Sequence, residues 1–343
     1  MNTNQDIRVA CVGAGYFSRF HYESWVRMPG AIPVGSCNRD LEKARATGLP
    51  AYQDILQMLE TEEPDLVDII LPPVAQAKAI RTALDFGIKW MICQKPFCLS
   101  LAEAKAVTSE AEAAGATIIV HENFRFQPWY RAIKKAMDKG LIGRPLQATF
   151  RLRPGDGQGP KAYLDRQPYF QEMPRFLVHE TAVHWIDTFR FLFGMPSAVY
   201  GDLRRVNPVI AGEDAGYILF DHPNGLKALF DGNRCLDHQA ENLRQTMGEA
   251  LIEGTEGSLV LCGDGSVELR GFGKQERQQI LPPSNHDGFG GDCVHVLQSH
   301  VISGLLRGTP FENTARDYLD VIRIEEAIYR AAAEERKINL ETP

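Results

Sequence analysis

Nowhere in this chain does an apolar run approach the roughly 20 residues needed to span a bilayer, so no membrane partner is expected. Basic runs are missing as well. The formal net charge is -7, and without a Lys/Arg-rich stretch nothing draws the chain onto polyanions, which argues against nucleic acid as a partner. Cysteine pairs with disulfide or metal spacing are also missing. The seven cysteines are scattered, none in a CxxC arrangement, and several lie in strand-like apolar runs where a reduced thiol serves as a small hydrophobe. That pattern speaks against a disulfide framework and for a reducing cytoplasm. The polar stretch from Met1 to Asp6 leads directly into a strand, so no signal peptide is expected.

What remains is an ordinary soluble composition, 44% hydrophobic and 24% charged. The length of 343 residues suffices for a large core divided between two domains. The first 120 or so residues alternate. Strands are expected at Ile7 to Val12, Ala31 to Cys37, Asp65 to Leu71, Lys89 to Cys93 and Thr117 to Val120. Helices are expected at Gly15 to Arg27, Asp40 to Thr47, Asp54 to Glu60, Ala75 to Phe86 and Leu101 to Ala114. Short apolar runs without a period of two, separated by helices, indicate an α/β unit with a doubly wound parallel sheet covered on both faces.

After about Asn123 the rhythm changes, which sets domain boundaries at 1–123 and 124–343. A helix at Pro128 to Lys139 and a strand at Leu146 to Arg151 lead into a Gly/Pro/Gln-rich loop from Pro154 to Gln171, long enough to be functional. An apolar helix is expected from Pro174 to Phe193. Strands follow at Ala198 to Val206, Ala215 to Asp221, Leu226 to Asp231, Glu249 to Glu253, Ser258 to Cys262 and Ser266 to Leu269. With no long helices between them, they predict an α+β domain with a large, open, mostly antiparallel sheet. Two helices, Gly291 to Leu306 and Thr314 to Glu335, close the chain, and the last can pack back on the first domain.

Chemistry concentrates at a few places. The turn Gly13-Ala14-Gly15-Tyr16-Phe17-Ser18 fits G-x-G-x-x-[GAS] between the first strand and first helix, the context in which such a turn holds a dinucleotide pyrophosphate. At the end of the second strand, Asn38 can bond ribose hydroxyls and Arg39 can stack on adenine or meet a 2′-phosphate, which leaves NAD and NADP open with a lean to NAD. Asp40 reads as the cap of the next helix. Leu71-Pro72-Pro73 ends a strand at the carboxyl edge of the sheet, where ligands bind in open α/β folds; a rigid turn is the plainer reading. Lys95 follows another strand, with Pro96 placed to fix a cis peptide and aim the lysine toward a substrate oxygen. Without that context a solvated surface lysine is the simpler reading.

In the apolar helix, Glu180, His184 and Asp187 follow i, i+4, i+7 and share one stripe. A carboxylate one turn from an imidazole can orient it and adjust it for general-base work, although a purely structural pair is the usual explanation. A metal site from His179, Glu180 and His184 is disfavoured, because neighbours on a helix point about 100° apart and no Cys/His motif completes tetrahedral zinc. No metal is expected.

These elements in this order resemble the Gfo/Idh/MocA family of sugar and cyclitol oxidoreductases. The resemblance covers most of the chain: the glycine turn, Leu71-Pro72-Pro73 through Gln76, Gln94-Lys95-Pro96, Arg125-Phe126-x-Pro128, His184-Trp185-Ile186-Asp187, and Arg323 to Arg330 in the last helix. It implies a Rossmann domain and a second domain whose open sheet makes homodimer or homotetramer contacts. It implies cofactor contacts at Gly13, Gly15, Tyr16, Phe17, Asn38, Arg39, Leu71, Pro72, Gln76, Gln94, Lys95 and Asn123. Lys95 would hold the reacting oxygen, His184 would take the hydroxyl proton, Glu180 would support it, and hydride would pass to NAD(P). Substrate hydroxyls would meet Lys95, Asn123, Arg125, Arg153, Arg166, Gln167, Tyr169, Glu180 and His184. Three positions depart from the family pattern: Gln94 for glutamate, Gln76 for histidine and Glu180 for aspartate.

The implied substrate is a sugar, polyol or sugar acid. The stretch from Gln94 through Asn123 to Arg125 and on to His184 looks closest to members that oxidise pentoses such as D-apiose to a lactone. Two alternatives stand beside it: redox-coupled elimination or glycoside hydrolysis with retained cofactor, and a non-catalytic dinucleotide-binding regulator.

Overall fold

Six strands, five of them largely buried, build the first sheet of the computed structural model, which describes residues 6–283 and 288–340. They are β1 (Ile7–Val12), β2 (Ala31–Cys37), β3 (Ala51–Tyr52), β4 (Leu66–Ile69), β5 (Trp90–Gln94) and β6 (Thr117–His121). All pair in parallel, in the order β3-β2-β1-β4-β5-β6. The crossovers carry α1 (Ser18–Val26), α2 (Leu41–Arg45), α3 (Ile55–Glu62), α4 (Pro73–Phe86) and α5 (Leu101–Ala113). Local chemistry sets the starts of three of them. Asp40, Asp54 and Ser100 accept from the backbone N–H groups of Glu42, Gln57 and Glu103, each such cap contributing about 1 kcal/mol. The strand order reverses between β1 and β4, so the carboxyl ends of these strands frame the crevice where α/β sheets bind ligands.

A second sheet of nine strands follows. A 3-10 turn at Phe124–Phe126 and α6 (Pro128–Asp138) precede β7 (Pro145–Leu152). After a 3-10 turn at Pro168–Gln171 come a π-helical turn, Leu177–Ala182, and α7 (Val183–Phe193). Then β8 (Ala198–Arg204), β9 (Ala215–Asp221), β10 (Lys227–Asn233), β11 (Gly248–Gly254), β12 (Gly257–Leu261), β13 (Val267–Gly271) and β14 (Gln278–Leu281) lead to α8 (Phe289–Arg307), α9 (Ala315–Glu334) and β15 (Ile338–Asn339). The order is β14-β13-β12-β11-β7-β10-β9-β8-β15, antiparallel throughout except for the parallel β7/β10 pair. One face is covered. Trp185 of α7 packs on Phe150 of β7 and Phe230 of β10, with ring centroids 4.3 and 5.4 Å apart. Each such side chain contributes roughly 1.5–3 kcal/mol by burial.

The described residues divide into two units. One reaches to Asn123 and includes Val294–Ile322; the other holds Phe124–Cys293 and the chain from Arg323. The second unit is therefore not the contiguous 124–343 read from sequence: most of α8 and only the start of α9 belong with the first, whereas α9 from Arg323 on, expected there as part of the last helix, belongs with the second. The helix expected from Pro174 to Phe193 also differs: its first part is the π-helical turn, and regular α-helix begins only at Val183. No described helix is long and apolar enough to cross a membrane.

His222, in the turn between β9 and β10, is buried with Phe193 edge-on at 5.8 Å. Burial pulls its pKa down to about 4 against the opposing charge of Asp221. In the unfolded chain a histidine takes its proton near pH 6.5. Between those values the unfolded state binds the extra proton, so stability falls as pH drops through this window. His222→Phe should therefore lose about 2 kcal/mol less than the wild type between about pH 7 and pH 5, read from urea unfolding at both values.

Candidate active site

The turn after β1 is built for close approach. Gly13 has φ +115°, and a Cβ there would meet the Ile70 carbonyl oxygen at 2.3 Å, so only glycine fits. Gly15 faces open space, with nothing within 4 Å of where its Cβ would stand. Ser18 Oγ donates to the Gly15 carbonyl at 2.7 Å and holds the bend from below. The residue at the head of α1 is Phe17, whose side chain offers no cap to the first N–H groups of the helix. An open glycine, a helix start without a side-chain cap and an exposed turn suit a pyrophosphate. Tyr16 lies exposed beside them, with Arg19 over its ring at 4.6 Å. The Gly13 N–H donates to Cys37 O at 2.8 Å, which ties the turn to the strand end carrying Asn38 and the exposed Arg39. The Asn38 side-chain oxygen accepts from the Asp40 N–H at 3.2 Å, so its orientation is set.

Lys95 stands at the carboxyl end of β5, and its bond to Pro96 is cis. Gln76, fully buried on α4, organises the surrounding backbone. Its amide nitrogen donates to the carbonyls of Leu71, Gln94 and Pro96 at 2.9, 2.7 and 3.1 Å, and its oxygen accepts from Cys98 N at 2.7 Å. Gln76 was expected to touch cofactor. With no exposed surface and both ends of its amide engaged, it instead braces the Leu71-Pro72 and Gln94-Lys95-Pro96 segments against each other. Gln94 is likewise engaged, accepting from the Lys95 N–H at 2.8 Å and meeting His21 at 3.2 Å. Asn123, at the end of this unit, is buried with an amide nitrogen that no protein acceptor meets, a donor suited to a ligand.

The second unit carries the other candidates. His184, near the start of α7, lies flat on Phe124 at 3.8 Å with an interplanar angle of 5°, which fixes the plane of its ring. Glu180 sits in the π-helical turn, a local widening that recurs at functional sites. The spacing of Glu180 and His184 thus crosses a change of helix type, and only His184 and Asp187 share regular α-helix. Glu180 accepts from Thr181 Oγ1 at 2.8 Å and lies 3.8 Å from the Arg234 guanidinium. Arg234 was not read from the sequence. Its side chain is 2% exposed and is surrounded by the rings of Tyr163, Phe170 and Phe176. It donates to Asp156 at 2.8 Å, to Tyr163 Oη at 2.8 Å and to Thr181. Burial pushes the Asp156 carboxyl up, but Arg234 and Arg166 prevail and hold it below the ordinary range.

Two expected substrate residues have other work. Arg125 donates to both oxygens of Asp187 at 2.8 and 2.5 Å, and Arg153 donates to the Asp231 carboxylate at 2.6 Å and to the carbonyls of Leu152 and Asp231. Both arginines are buried, and these bonds tie them into the scaffold, although Arg153 Nε meets no acceptor. The 154–171 loop keeps its candidates together. Arg166 donates to Asp156 at 2.9 Å, and Gln167 donates to Tyr169 Oη at 2.9 Å. Partial burial and the nearby charge of Glu180 push the Tyr169 phenol above its ordinary value. Asp68 and His21 in the first unit also escaped sequence reading. The readable signal was Asp68 itself, a carboxylate inside the apolar run Leu66 to Ile70.

Residues 7–122 match the family described as an oxidoreductase family with NAD-binding Rossmann fold, and residues 130–260 match the GFO/IDH/MocA C-terminal domain. The chain is 33% identical to D-apiose dehydrogenase of Paraburkholderia graminis, over 97% of this chain and 89% of that protein. It is 28% identical to D-apiose dehydrogenase of Rhizobium rhizogenes, over 98% of each. An oxidoreductase from Agrobacterium radiobacter, solved in complex with NAD+, L-tartaric acid and magnesium, superposes with a TM-score of 0.88 at 28% identity, covering 98% of both chains. The expected combination of a parallel Rossmann sheet with a mostly antiparallel second sheet is borne out.

Removing Arg234 leaves Asp156 largely buried with one of its two cations gone. Arg234→Met should lower stability by about 3–5 kcal/mol at neutral pH. The loss should shrink as pH falls through the depressed Asp156 value, because a protonated Asp156 no longer needs the cation. Urea unfolding of both proteins across pH checks the size and the sign.

Proposed function

The chain belongs to the Gfo/Idh/MocA oxidoreductases, and from that premise we propose that it oxidises an aldopentose, with D-apiose converted at C1 to its lactone as the leading case. It is an NAD-dependent dehydrogenase acting on a CH-OH group of a sugar or polyol. One observation carries the substrate reading: similarity along nearly the whole chain to two D-apiose dehydrogenases. The residues fit the dinucleotide, because Gly15 leaves open the space a side chain would fill, Gly13 lets the turn pass close to Ile70, and Phe17 leaves the start of α1 without a side-chain cap.

When bound, NAD supplies the hydride acceptor. The chain supplies the rest. Lys95 donates from Nζ to the reacting oxygen and orients the carbon that carries it. His184, its ring held by Phe124, accepts the hydroxyl proton, and Glu180 stabilises the imidazolium that results. Asn123, Arg166, Gln167 and Tyr169 bind the remaining hydroxyls, while Arg125 and Arg153 hold the scaffold through Asp187 and Asp231. Cofactor contacts fall to Gly13, Gly15, Tyr16, Phe17, Asn38, Arg39, Leu71, Pro72 and Lys95, with Gln76 and Gln94 bracing from behind. A reducing cytoplasm is the compartment we assign, since all seven cysteines are free thiols.

The same reading makes the chain a homo-oligomer, dimer or tetramer. On the open face of the second sheet, Tyr200, Leu219, Leu229, Thr149, Leu251 and Val260 stand opposite one another strand by strand in a single row. None of the six is fully buried, and a row of this kind across a sheet suits a second copy of the same face.

NADH absorbance should rise with D-apiose or a related aldose in a panel of sugars and polyols. A silent panel together with turnover of a glycoside would sink the dehydrogenase reading. His184→Gln should lower kcat by about 10² or more while NAD affinity stays near wild type; equal loss of cofactor binding counts against the base role. Leu229→Lys should shift the solution mass toward the monomer in light scattering, and an unchanged mass removes this face from the assembly.

A further inference from the structure

Asp68 is a carboxylate in the middle of β4 with no exposed surface. Such a group survives only where donors converge on it, and they do. His21 Nδ1 and Trp25 Nε1 approach Oδ2 at 2.8 Å each, from successive turns of α1, and Gln298 Nε2 of α8 approaches it at 3.3 Å. The other ring nitrogen of His21 meets the Gln94 side-chain nitrogen at 3.2 Å. The Gln94 side-chain oxygen in turn accepts from the backbone N–H of Lys95 at 2.8 Å.

The polarity of this chain of bonds is determined at both ends. The Lys95 N–H can only donate, so the oxygen of the Gln94 amide must face it and the NH2 group must face His21. An amide NH2 can only donate, so His21 Nε2 accepts. The ring's single proton then sits on Nδ1, facing a carboxylate that can only accept. Gln298 lies 3.4 Å from Nδ1 and has the same carboxylate as its acceptor. No link in the run from the Lys95 N–H through Gln94 and His21 to Asp68 Oδ2 can be reversed without setting donor against donor or acceptor against acceptor.

We propose that His21 and Gln94 are a matched pair of positioning residues for Lys95. The pair carries the fixed orientation of the buried Asp68 out to the backbone of the residue that holds the reacting oxygen. Glutamine is the residue required at 94 for this. A glutamate at that position has no N–H to give, so the imidazole would have to carry protons on both nitrogens to face Asp68 and the second carboxylate together. The proposal rests on the reading of Lys95 given above.

Gln94→Glu keeps the side-chain shape and tests it. The titratable groups facing the ring are Asp68 of β4 and His121 of β6, the latter with its ring centroid at 4.1 Å; Gln298 and Phe17 are the uncharged neighbours. In the wild type, nitrogen NMR of histidine-labelled protein should find His21 as the neutral Nδ1–H form, assigned by its loss in His21→Phe. In Gln94→Glu it should find a doubly protonated ring, and the Lys95 amide resonance should shift as that ring titrates.

Kinetically, kcat of Gln94→Glu should step down to a lower plateau as pH rises through a range in which that of the wild type stays level. KM should change little and melting temperature should stay close to wild type at acid pH. An Nε2–H tautomer in the wild type overturns the pair. A Lys95 amide unmoved by the titration overturns the coupling, whether or not the protein turns over any sugar. Normal NMR behaviour with no sugar oxidised would instead count against the assigned reaction alone. A pH profile identical to that of the wild type, in an active Gln94→Glu enzyme, overturns the positioning role.

Discussion

A charge withdrawn from water must be met by partners inside the protein, and this requirement shapes both units. Asp68 gathers His21, Trp25 and Gln298 in the first. In the second, Asp187 takes Arg125, Asp231 takes Arg153, and Asp156 takes Arg234 with Arg166. Several of these partnerships join segments remote in sequence, 62 residues apart for Arg125 and Asp187 and 78 for Arg234 and Asp156. Such pairs contribute little net stability compared with apolar packing, but they tolerate very few arrangements. They decide which way the surrounding polar side chains point.

The two units carry different groups. The parallel sheet provides a glycine turn into which no larger residue fits at Gly13, and a lysine at a strand end whose backbone is braced by Gln76 and Gln94. The mixed sheet carries a histidine stacked on Phe124, an acid in a π-helical turn and a long loop rich in polar groups. The match to the NAD-binding family falls in the first unit and the match to the C-terminal domain in the second.

Much of the fold was legible because the sequence states it in its periodicity. Parallel strands buried on both faces read as solid apolar runs, and Asp40 announced itself as a cap. The two-residue strands β3 and β15 and the short β14 gave no such signal, since their pairing is decided by neighbours rather than by their own residues. The Glu180, His184, Asp187 stripe assumed 3.6 residues per turn, and a π-helical turn is invisible to that arithmetic. Arg125 and Arg153 looked like hydroxyl binders because their carboxylate partners lie far away along the chain. The same reason hid Arg234.

The 154–171 loop is anchored at one end and open at the other. Asp156 is fixed by two arginines, and Tyr163 and Phe170 pack with Phe176 and Ile210 into a small core of their own. Gln167 and Tyr169, by contrast, pair with each other through side chains near the surface. The inner end of the loop is therefore fixed by charge and rings together, and Tyr169, edge-on to Phe170 at 4.9 Å, passes that order to the outer end. Gln167 contributes no ring and no charge to this core, so of the two it is the one that evolution can exchange at less cost to the fold.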